Sequence, residues 1–176
     1  FKVMQAYEEW FSSDAKLVAE LALLHLLGLF DHPIEKDVLQ VLWDAQIPNL
    51  TAGISTDNWQ DAITALREEH HLLSQHEDKD GKLNDQLDCH PLIREYFGQQ
   101  LQKMQSDAWQ QAHARLYYYY KALPDKELPD TVAEMQPLFS AVAHGCAAGL
   151  HQQALREVYY QRIQREGEDY LVKKHG

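Results

Sequence analysis

Residues 72–97, LLSQHEDKDGKLNDQLDCHPLIREYF, contain the pattern that decides the predicted fold. Residues 72–77 can form a strand, residues 78–81 a turn, and residues 82–89 a second strand. In the second strand, a period of two places three side chains on one face: Leu83, Leu87 and Cys89. Helical spacing follows over 91–105 and predicts an inward face made of Leu92, Ile93, Tyr96, Phe97 and Leu101. The stretch therefore predicts a β-hairpin followed directly by a helix.

The most apolar segment of the chain lies upstream, at residues 17–30, LVAELALLHLLGLF. It is shorter than the roughly 20 residues that a bilayer requires. Glu20 and His25 also interrupt it. We therefore expect a helix from about Asp14 to Phe30 that is buried on most sides, with Ser12, Ser13 or Asp14 offering the N-cap.

Two more helices are expected before the hairpin. Pro33 suits the first turn of a helix, and apolar residues follow it at helical spacing: Ile34, Val38, Leu39, Leu42 and Trp43. Residues 46–56 contain Pro48 and Gly53 and predict a loop. We then expect Asp57 to cap a third helix that buries Trp59, Ile63, Leu66 and Leu73.

This element order is that of a winged helix-turn-helix domain: three helices, a β-hairpin wing and a following helix. We assign residues 14–105 to that domain and residues 1–13 to an N-terminal helix or linker from a preceding module. Residues 106–176 predict only helices and form the last segment of a mainly α fold. We expect this segment to be a tetratricopeptide-like (TPR-like) helical arm that is incomplete here.

The arm begins with a helix over 106–123, followed by the linker PDKELPD. The next helix is expected to bury one stripe, and Pro137 either kinks that helix or lies near its start. Gly149 then ends the helix, and residues 151–165 form its antiparallel partner. The turn AGLHQQA (148–154) resembles that of a tetratricopeptide repeat. The predicted buried stripe consists of Val132, Met135, Phe139, Val142 and Cys146.

Charge and cysteine content exclude several classes of protein. The 176 residues include 27 acidic and 16 basic side chains, which give a net charge of −11 and argue against nonspecific binding to nucleic acid. The expected recognition helix, residues 57–73, holds four carboxylates against Arg67, and these would repel DNA phosphates. With only two cysteines, the chain predicts a reducing, cytoplasmic setting rather than a disulfide framework.

Motifs for catalysis and metal binding are not found. The sequence has no G-x-x-x-x-G-K-[ST], no G-x-G-x-x-G, no G-x-S-x-G and no H-E-x-x-H, so we expect no enzyme activity and no cofactor in this chain. The pairs Cys89-His90 and His144-x-Cys146 lack the spacing of zinc knuckles, and we expect both cysteines to be small core residues. The residues from His76 to Gly81 resemble part of a calcium loop, but Leu87 stands at its twelfth position.

Four consecutive tyrosines, Tyr117, Tyr118, Tyr119 and Tyr120, are the most unusual local feature. On a helix they point to all sides, so one or two of the rings must face solvent or another element. They are candidates for a protein interface, since tyrosine is favoured there. The alternative is that the rings pack between elements of this chain.

Three segments resemble a known family. These are ELALLHLLGLFDHP (20–33), LDCHPLIREYF (87–97) and AVAHGCAAGLHQQALREVYYQRIQREGEDY (141–170). Together they look like the winged-helix and helical-arm region of bacterial STAND signal-transduction ATPases of the NACHT and NB-ARC type. In that family a Met-His-Asp-like motif opens the helix after the wing. Here only His90 matches, with Cys89 in place of Met and Pro91 in place of Asp.

The resemblance implies a non-catalytic regulatory role. In the family, an upstream P-loop module binds ATP or ADP, the winged helix closes over it, and the motif histidine reaches the β-phosphate of ADP. His90 would have that role here, or it is simply a histidine at a helix start. The chain begins at Phe1 without an initiator Met, so we expect it to belong to a longer polypeptide. Its expected partners are an upstream P-loop module, a downstream repeat region and other proteins, and we expect no membrane contact. A protein-interaction adaptor is the first alternative, and a DNA-binding regulator the second.

Overall fold

The computed structural model describes residues 2–74, 86–165 and 170. Helices dominate these residues, which confirms the predicted mainly α class. The chain divides into two compact units, Phe1–Trp109 and Gln110–Gly176. All four tryptophans fall within the first unit, so tryptophan fluorescence reports on that unit alone.

The first unit holds five helices among its described residues, together with two short strands. A 3₁₀ turn (Ala15–Leu17) precedes the second helix, and the fourth continues as a π-helical segment (Ala65–Glu69). The elements are α1 (Lys2–Ser13), α2 (Val18–Leu27), α3 (Lys36–Asp44), α4 (Thr56–Thr64), β1 (Leu73–Ser74), β2 (Asp88–Cys89) and α5 (Pro91–Met104).

Helix α2 is the centre of this unit. Eight of its ten residues are buried, which confirms that the apolar run is covered on most sides. It is shorter than expected. Asp14 caps the preceding 3₁₀ turn by accepting a hydrogen bond from the Lys16 amide (2.9 Å), and the helix ends at Gly28 rather than Phe30.

The end of α2 meets α5 through two glycines. A Cβ on Gly28 would lie 2.3 Å from the Gly98 amide nitrogen, and a Cβ on Gly98 would lie 2.4 Å from the Gly28 carbonyl oxygen. Both distances are shorter than any van der Waals contact, so the two backbones touch where no side chain fits. This contact fixes the position of α5 against the core.

A two-stranded sheet and an isolated bridge join three separate parts of the first unit. Strands β1 and β2 are antiparallel, with Leu73 opposite Cys89. Ile34 forms the bridge with Leu87, and their backbone groups exchange two hydrogen bonds of 2.9 and 2.7 Å. The prediction that Ile34 begins a helix was wrong, because its backbone pairs with Leu87, just before β2, and α3 begins only at Lys36.

Part of the predicted hairpin lies outside the described residues, namely its turn at 78–81 and half of each strand (75–77 and 82–85), including Leu83. The same holds for the calcium-like segment from His76 to Gly81. Leu87 and Cys89 are both buried, as expected for one strand face.

Two details of helices α4 and α5 differ from the sequence prediction. Ser55, not Asp57, caps α4. The Ser55 hydroxyl accepts a hydrogen bond from the backbone N–H of Asn58 (3.2 Å), and the Asn58 side-chain oxygen accepts one from the backbone N–H of Ser55. Leu92 was expected to face inward but is 54% exposed. It lies on the helical stripe that continues through Glu95 and Gln99, both of which are exposed.

His25 on α2 makes the first unit sensitive to acid. Its ring packs edge-on against Phe97, and burial lowers its pKa from 6.5 to about 4. Below pH 6.5 the unfolded chain binds a proton that the folded chain does not, so stability is highest above pH 6.5 and falls as the pH drops towards 4. By pH 5 this single group should cost about 2 kcal/mol.

We expect His25→Leu to remove the loss of stability that His25 causes at low pH. Urea unfolding followed by tryptophan fluorescence at pH 7.5 and pH 5 measures this loss. The matched control is His32→Gln, since His32 is exposed and should leave the wild-type loss of stability unchanged. An equal loss in wild type and His25→Leu would contradict the assignment.

The second unit is a helical hairpin together with most of α6 (Ser106–Ala122). The hairpin pairs α7 (Val132–Ala147) with α8 (His151–Gln153), which continues as a π-helical segment (Ala154–Ile163). Gly149 has φ +77° between them, which confirms its place after the helix end. At Gly145 a Cβ would lie 2.9 Å from both Ala154 and Tyr117, so this glycine lets the three helices approach closely.

The predicted buried stripe of α7 was largely wrong. Met135 is buried, but Val132 is 39% exposed, Cys146 is exposed, and Phe139 and Val142 are only half-buried. Cys146 is therefore not a core residue. Pro137 lies inside α7 and does not start it, because the helix begins at Val132, with Thr131 as its cap in a capping box with Glu134. The buried residues of α7 are Met135, Leu138, Ala141, His144 and Gly145.

Arg162 ties the linker between α6 and α7 to the last helix. Its guanidinium is almost fully buried and donates to three backbone carbonyls, those of Lys121, Lys126 and Glu127. Arg165 adds a bond to the Pro129 carbonyl (2.7 Å). The linker therefore has a defined conformation, although its sequence predicts a loop.

Within the described part of the chain, no helix has both the length and the apolar character needed to span a bilayer.

Candidate functional site

The junction of β2 and α5 holds the one residue to which the sequence assigns a nucleotide role. His90 is the N-cap of α5, and its side chain is exposed. Its Nδ1 accepts a hydrogen bond from the Leu92 amide (3.2 Å). His90 therefore has a structural role at the helix start, and that role leaves the far side of the ring open to solvent.

This cap defines the tautomer of His90. Because Nδ1 accepts a hydrogen bond, the proton of the neutral ring must be on Nε2. The imidazole then presents an outward N–H donor at the positive end of α5. A phosphate oxygen is a suitable acceptor for such a donor.

The backbone of this helix start offers little to an anion. Pro91 has no N–H, and the Leu92 amide is bound to His90. The next two amides, of Ile93 and Arg94, donate to the His90 carbonyl at 2.8 and 3.2 Å. An anion at this site would therefore depend on the His90 ring and the helix dipole rather than on free backbone donors.

A buried ion pair lies directly beneath His90. Arg94 Nη2 is 2.8 Å from Asp88 Oδ1, and both side chains are about nine-tenths buried. The same nitrogen donates to the Cys89 carbonyl (3.3 Å), and the Cys89 amide donates to Asp88 (2.8 Å). The pair therefore joins β2 to the first turn of α5 and holds the backbone of His90 in place.

Cys89 is a core residue, as the sequence suggested. It is 1% exposed, and burial is the main cause that raises the pKa of its thiol to about 12. The thiol therefore stays protonated at neutral pH, which makes it a poor nucleophile and a poor metal ligand. Among the described residues there is no group of three or more His, Cys, Asp or Glu side chains that could hold a metal ion.

The four tyrosines of α6 have different surroundings. Tyr117 is fully buried and Tyr120 nearly so, whereas Tyr118 is 55% exposed and Tyr119 is half-buried. Tyr120 stacks on His144 with ring centroids 5.4 Å apart. Only Tyr118 and the outer part of Tyr119 can therefore contact another protein without unfolding of the second unit.

A pair of histidines that the sequence analysis missed lies in the core of the second unit. His113 on α6 and His144 on α7 approach to 2.8 Å between their Nδ1 atoms. Burial, with His144 as the smaller cause, lowers the pKa of His113 to about 3. The ring therefore stays neutral at physiological pH. The two residues are on different helices, so no local spacing in the sequence could have shown that they meet.

No family model, no curated protein and no solved structure matches this chain.

Proposed function

We propose that this chain is a non-catalytic regulatory region of a STAND-type signalling ATPase. It would relay the nucleotide state of an upstream P-loop module to a downstream sensor or effector. In this proposal the first unit is the winged-helix domain, the second is the start of a TPR-like arm, and His90 donates to the β-phosphate of ADP in the inactive state.

The observation that carries the proposal is the geometry of His90. Its Nδ1 is used by the Leu92 amide and its Nε2 side is exposed, so the ring is held with one donor directed away from the domain. The ion pair of Asp88 and Arg94 fixes the backbone on both sides of it. A donor held in this way suits recognition of a phosphate that another module delivers.

The arrangement of elements in the first unit supports the same proposal. The helices α2, α3 and α4 precede β1 and β2, and an isolated bridge of Ile34 with Leu87 lies directly before β2. This order is expected of a winged helix. On α4 and the π-helical segment that continues it, the four carboxylates are exposed and Arg67 is half-buried, which favours a protein partner over DNA.

The first experiment is to sequence the coding region upstream of Phe1. A G-x-x-x-x-G-K-[ST] motif followed by an acidic strand end would support the proposal. A reading frame that starts close to Phe1 would overturn it and leave the protein-interaction adaptor, with Tyr118 as its exposed contact, as the better explanation.

In the intact protein we expect His90→Asn to speed ADP release about tenfold, the loss of one hydrogen bond to a charged group. Asparagine can still cap α5, so the unfolding free energy should change by less than about 0.5 kcal/mol. His90→Ala removes the cap as well and should cost about 1 kcal/mol. Release of a fluorescent ADP analogue and urea unfolding measure the two effects.

The matched control is His32→Asn, another exposed histidine of the first unit, which should leave ADP release unchanged. If ADP release is the same in His90→Asn and wild type, His90 only caps the helix.

A further inference from the structure

A cleft of about 340 Å³ lies between the end of α2 and the outer face of α5, all within the first unit. Its walls are mainly apolar and include Phe30, Pro91 and the partly exposed ring of Trp109. Gln99 and Gln102 add amide groups at its edge. The cleft is thus large enough for one long side chain of a partner protein.

Two carboxylates, those of Asp31 and Glu95, line the cleft. Asp31 hydrogen-bonds to His32 (2.6 Å) and Glu95 to Gln99 (3.2 Å). Among the described residues, neither forms an ion pair with a lysine or an arginine. The bond to His32 is the main cause that lowers the pKa of Asp31, so this carboxyl is ionised at neutral pH.

The cationic side chain that lines the cleft, Arg94, already has an ion-pair partner. Its charge is balanced by Asp88, and its Nε and Nη1 atoms are buried out of reach of solvent. An anionic ligand therefore finds no accessible charged donor and meets two carboxylates. The cleft also contains Gly28 at the negative carboxyl end of α2 and Pro91 at the positive start of α5. Because these two helix dipoles oppose each other, the carboxylates decide the sign of the charge that the cleft favours.

The net charge of the first unit also favours a cationic ligand. Of the 27 acidic and 16 basic residues, 19 acidic and 8 basic ones lie in residues 1–109, so the first unit carries the entire net charge of −11. The second unit is neutral. A basic partner is therefore attracted to the first unit, and the cleft is where an aromatic ring and two carboxylates line the same cavity.

From this combination we infer that the cleft binds an arginine side chain from a basic segment of a partner protein. The guanidinium would stack on the indole of Trp109 and donate to Asp31 and Glu95, and the arginine stem would cover Phe30. Arginine fits better than lysine because its planar group can stack and donate to two carboxylates at once. The inference does not depend on the nucleotide role of His90.

Fluorescence anisotropy with a fluorescein-labelled hexa-arginine peptide, at about 50 mM salt to limit screening, tests the inference on this chain. We expect saturable binding that weakens about tenfold in Asp31→Asn/Glu95→Gln, the loss of two exposed ion pairs. Trp109→Phe should weaken it about threefold, since phenylalanine is a poorer cation–π partner. Hexa-lysine should bind more weakly than hexa-arginine.

The control is Asp57→Asn/Asp61→Asn, which makes the same change in net charge on the exposed face of α4. It should reduce affinity less than twofold. An equal loss in both double variants would show attraction to the acidic surface in general and overturn the site. Equal binding of hexa-lysine and hexa-arginine, with no effect of Trp109→Phe, would overturn the assignment to arginine, and so would the absence of binding.

Discussion

Gly98→Ala should destabilise the first unit by about 3 kcal/mol, the upper part of the range for overpacked sites. The added methyl would lie 2.4 Å from the Gly28 carbonyl oxygen, which belongs to a backbone and cannot rotate away. Alanine favours helix over glycine by about 1 kcal/mol, so the steric cost must exceed this gain. Urea unfolding followed by tryptophan fluorescence measures the effect, because Trp43 and Trp59 stack in the core of this unit.

Two further variants identify the cause. Gln99→Ala changes the next position of α5, which is exposed, and should alter stability by less than about 0.5 kcal/mol. Gly28→Ala should resemble Gly98→Ala. Their combination should cost less than the sum, since the first methyl already separates the helices and makes space for the second. Full additivity, or a Gly98→Ala variant as stable as wild type, would contradict the close contact.

Asp88→Asn should have a second large effect, a loss of about 3 kcal/mol from the first unit. The substitution leaves the guanidinium of Arg94 buried, with 8% of the residue exposed, and removes its ion-pair partner. Arginine cannot lose its proton at accessible pH, so the folded state bears the cost of a buried charge without that partner. The same fluorescence-detected urea unfolding measures the loss.

A double-mutant cycle separates charge from packing. Asp88→Asn/Arg94→Met removes both charges and should be more stable than Asp88→Asn alone, because methionine fills much of the space of the arginine stem. Asp61→Asn, at an exposed position of α4, is the control for loss of a carboxylate and should be nearly neutral. If the double variant is less stable than Asp88→Asn, the pair acts through its hydrogen bonds rather than through charge compensation.

The sequence predicted the fold best where a pattern of residues is compatible with only one structure. A run as apolar as 17–30 can only be buried, and α2 is buried on most sides. Helical spacing after Pro91 placed α5 correctly, and with it His90 at the helix start. In α7, by contrast, apolar residues lie on nearly every side, so periodicity did not select a face and the predicted stripe was wrong.

Local capping groups also limited the prediction. Ser55, Asp57 and Asn58 are all good N-cap residues, and only the backbone path of the preceding loop selects Ser55. Its spacing predicts that Ile34 is helical, but Ile34 instead forms an isolated β-bridge with Leu87, more than fifty residues away. Which residue caps a helix or pairs in a β-bridge depends on contacts with other segments of the chain, and local propensity carries no information about those contacts.

By itself, the sequence determined the helical class, the buried core helix, the acidic charge and the position of His90 at the start of a helix. These follow from composition and short-range periodicity, which act within a few residues of the chain. Only the tertiary structure decided that Gly28 meets Gly98, that Asp88 neutralises Arg94, and that Trp109 lines the same cleft as two carboxylates. Contacts of this kind arise from the packing of distant segments, and their energies depend on burial, which no local pattern specifies.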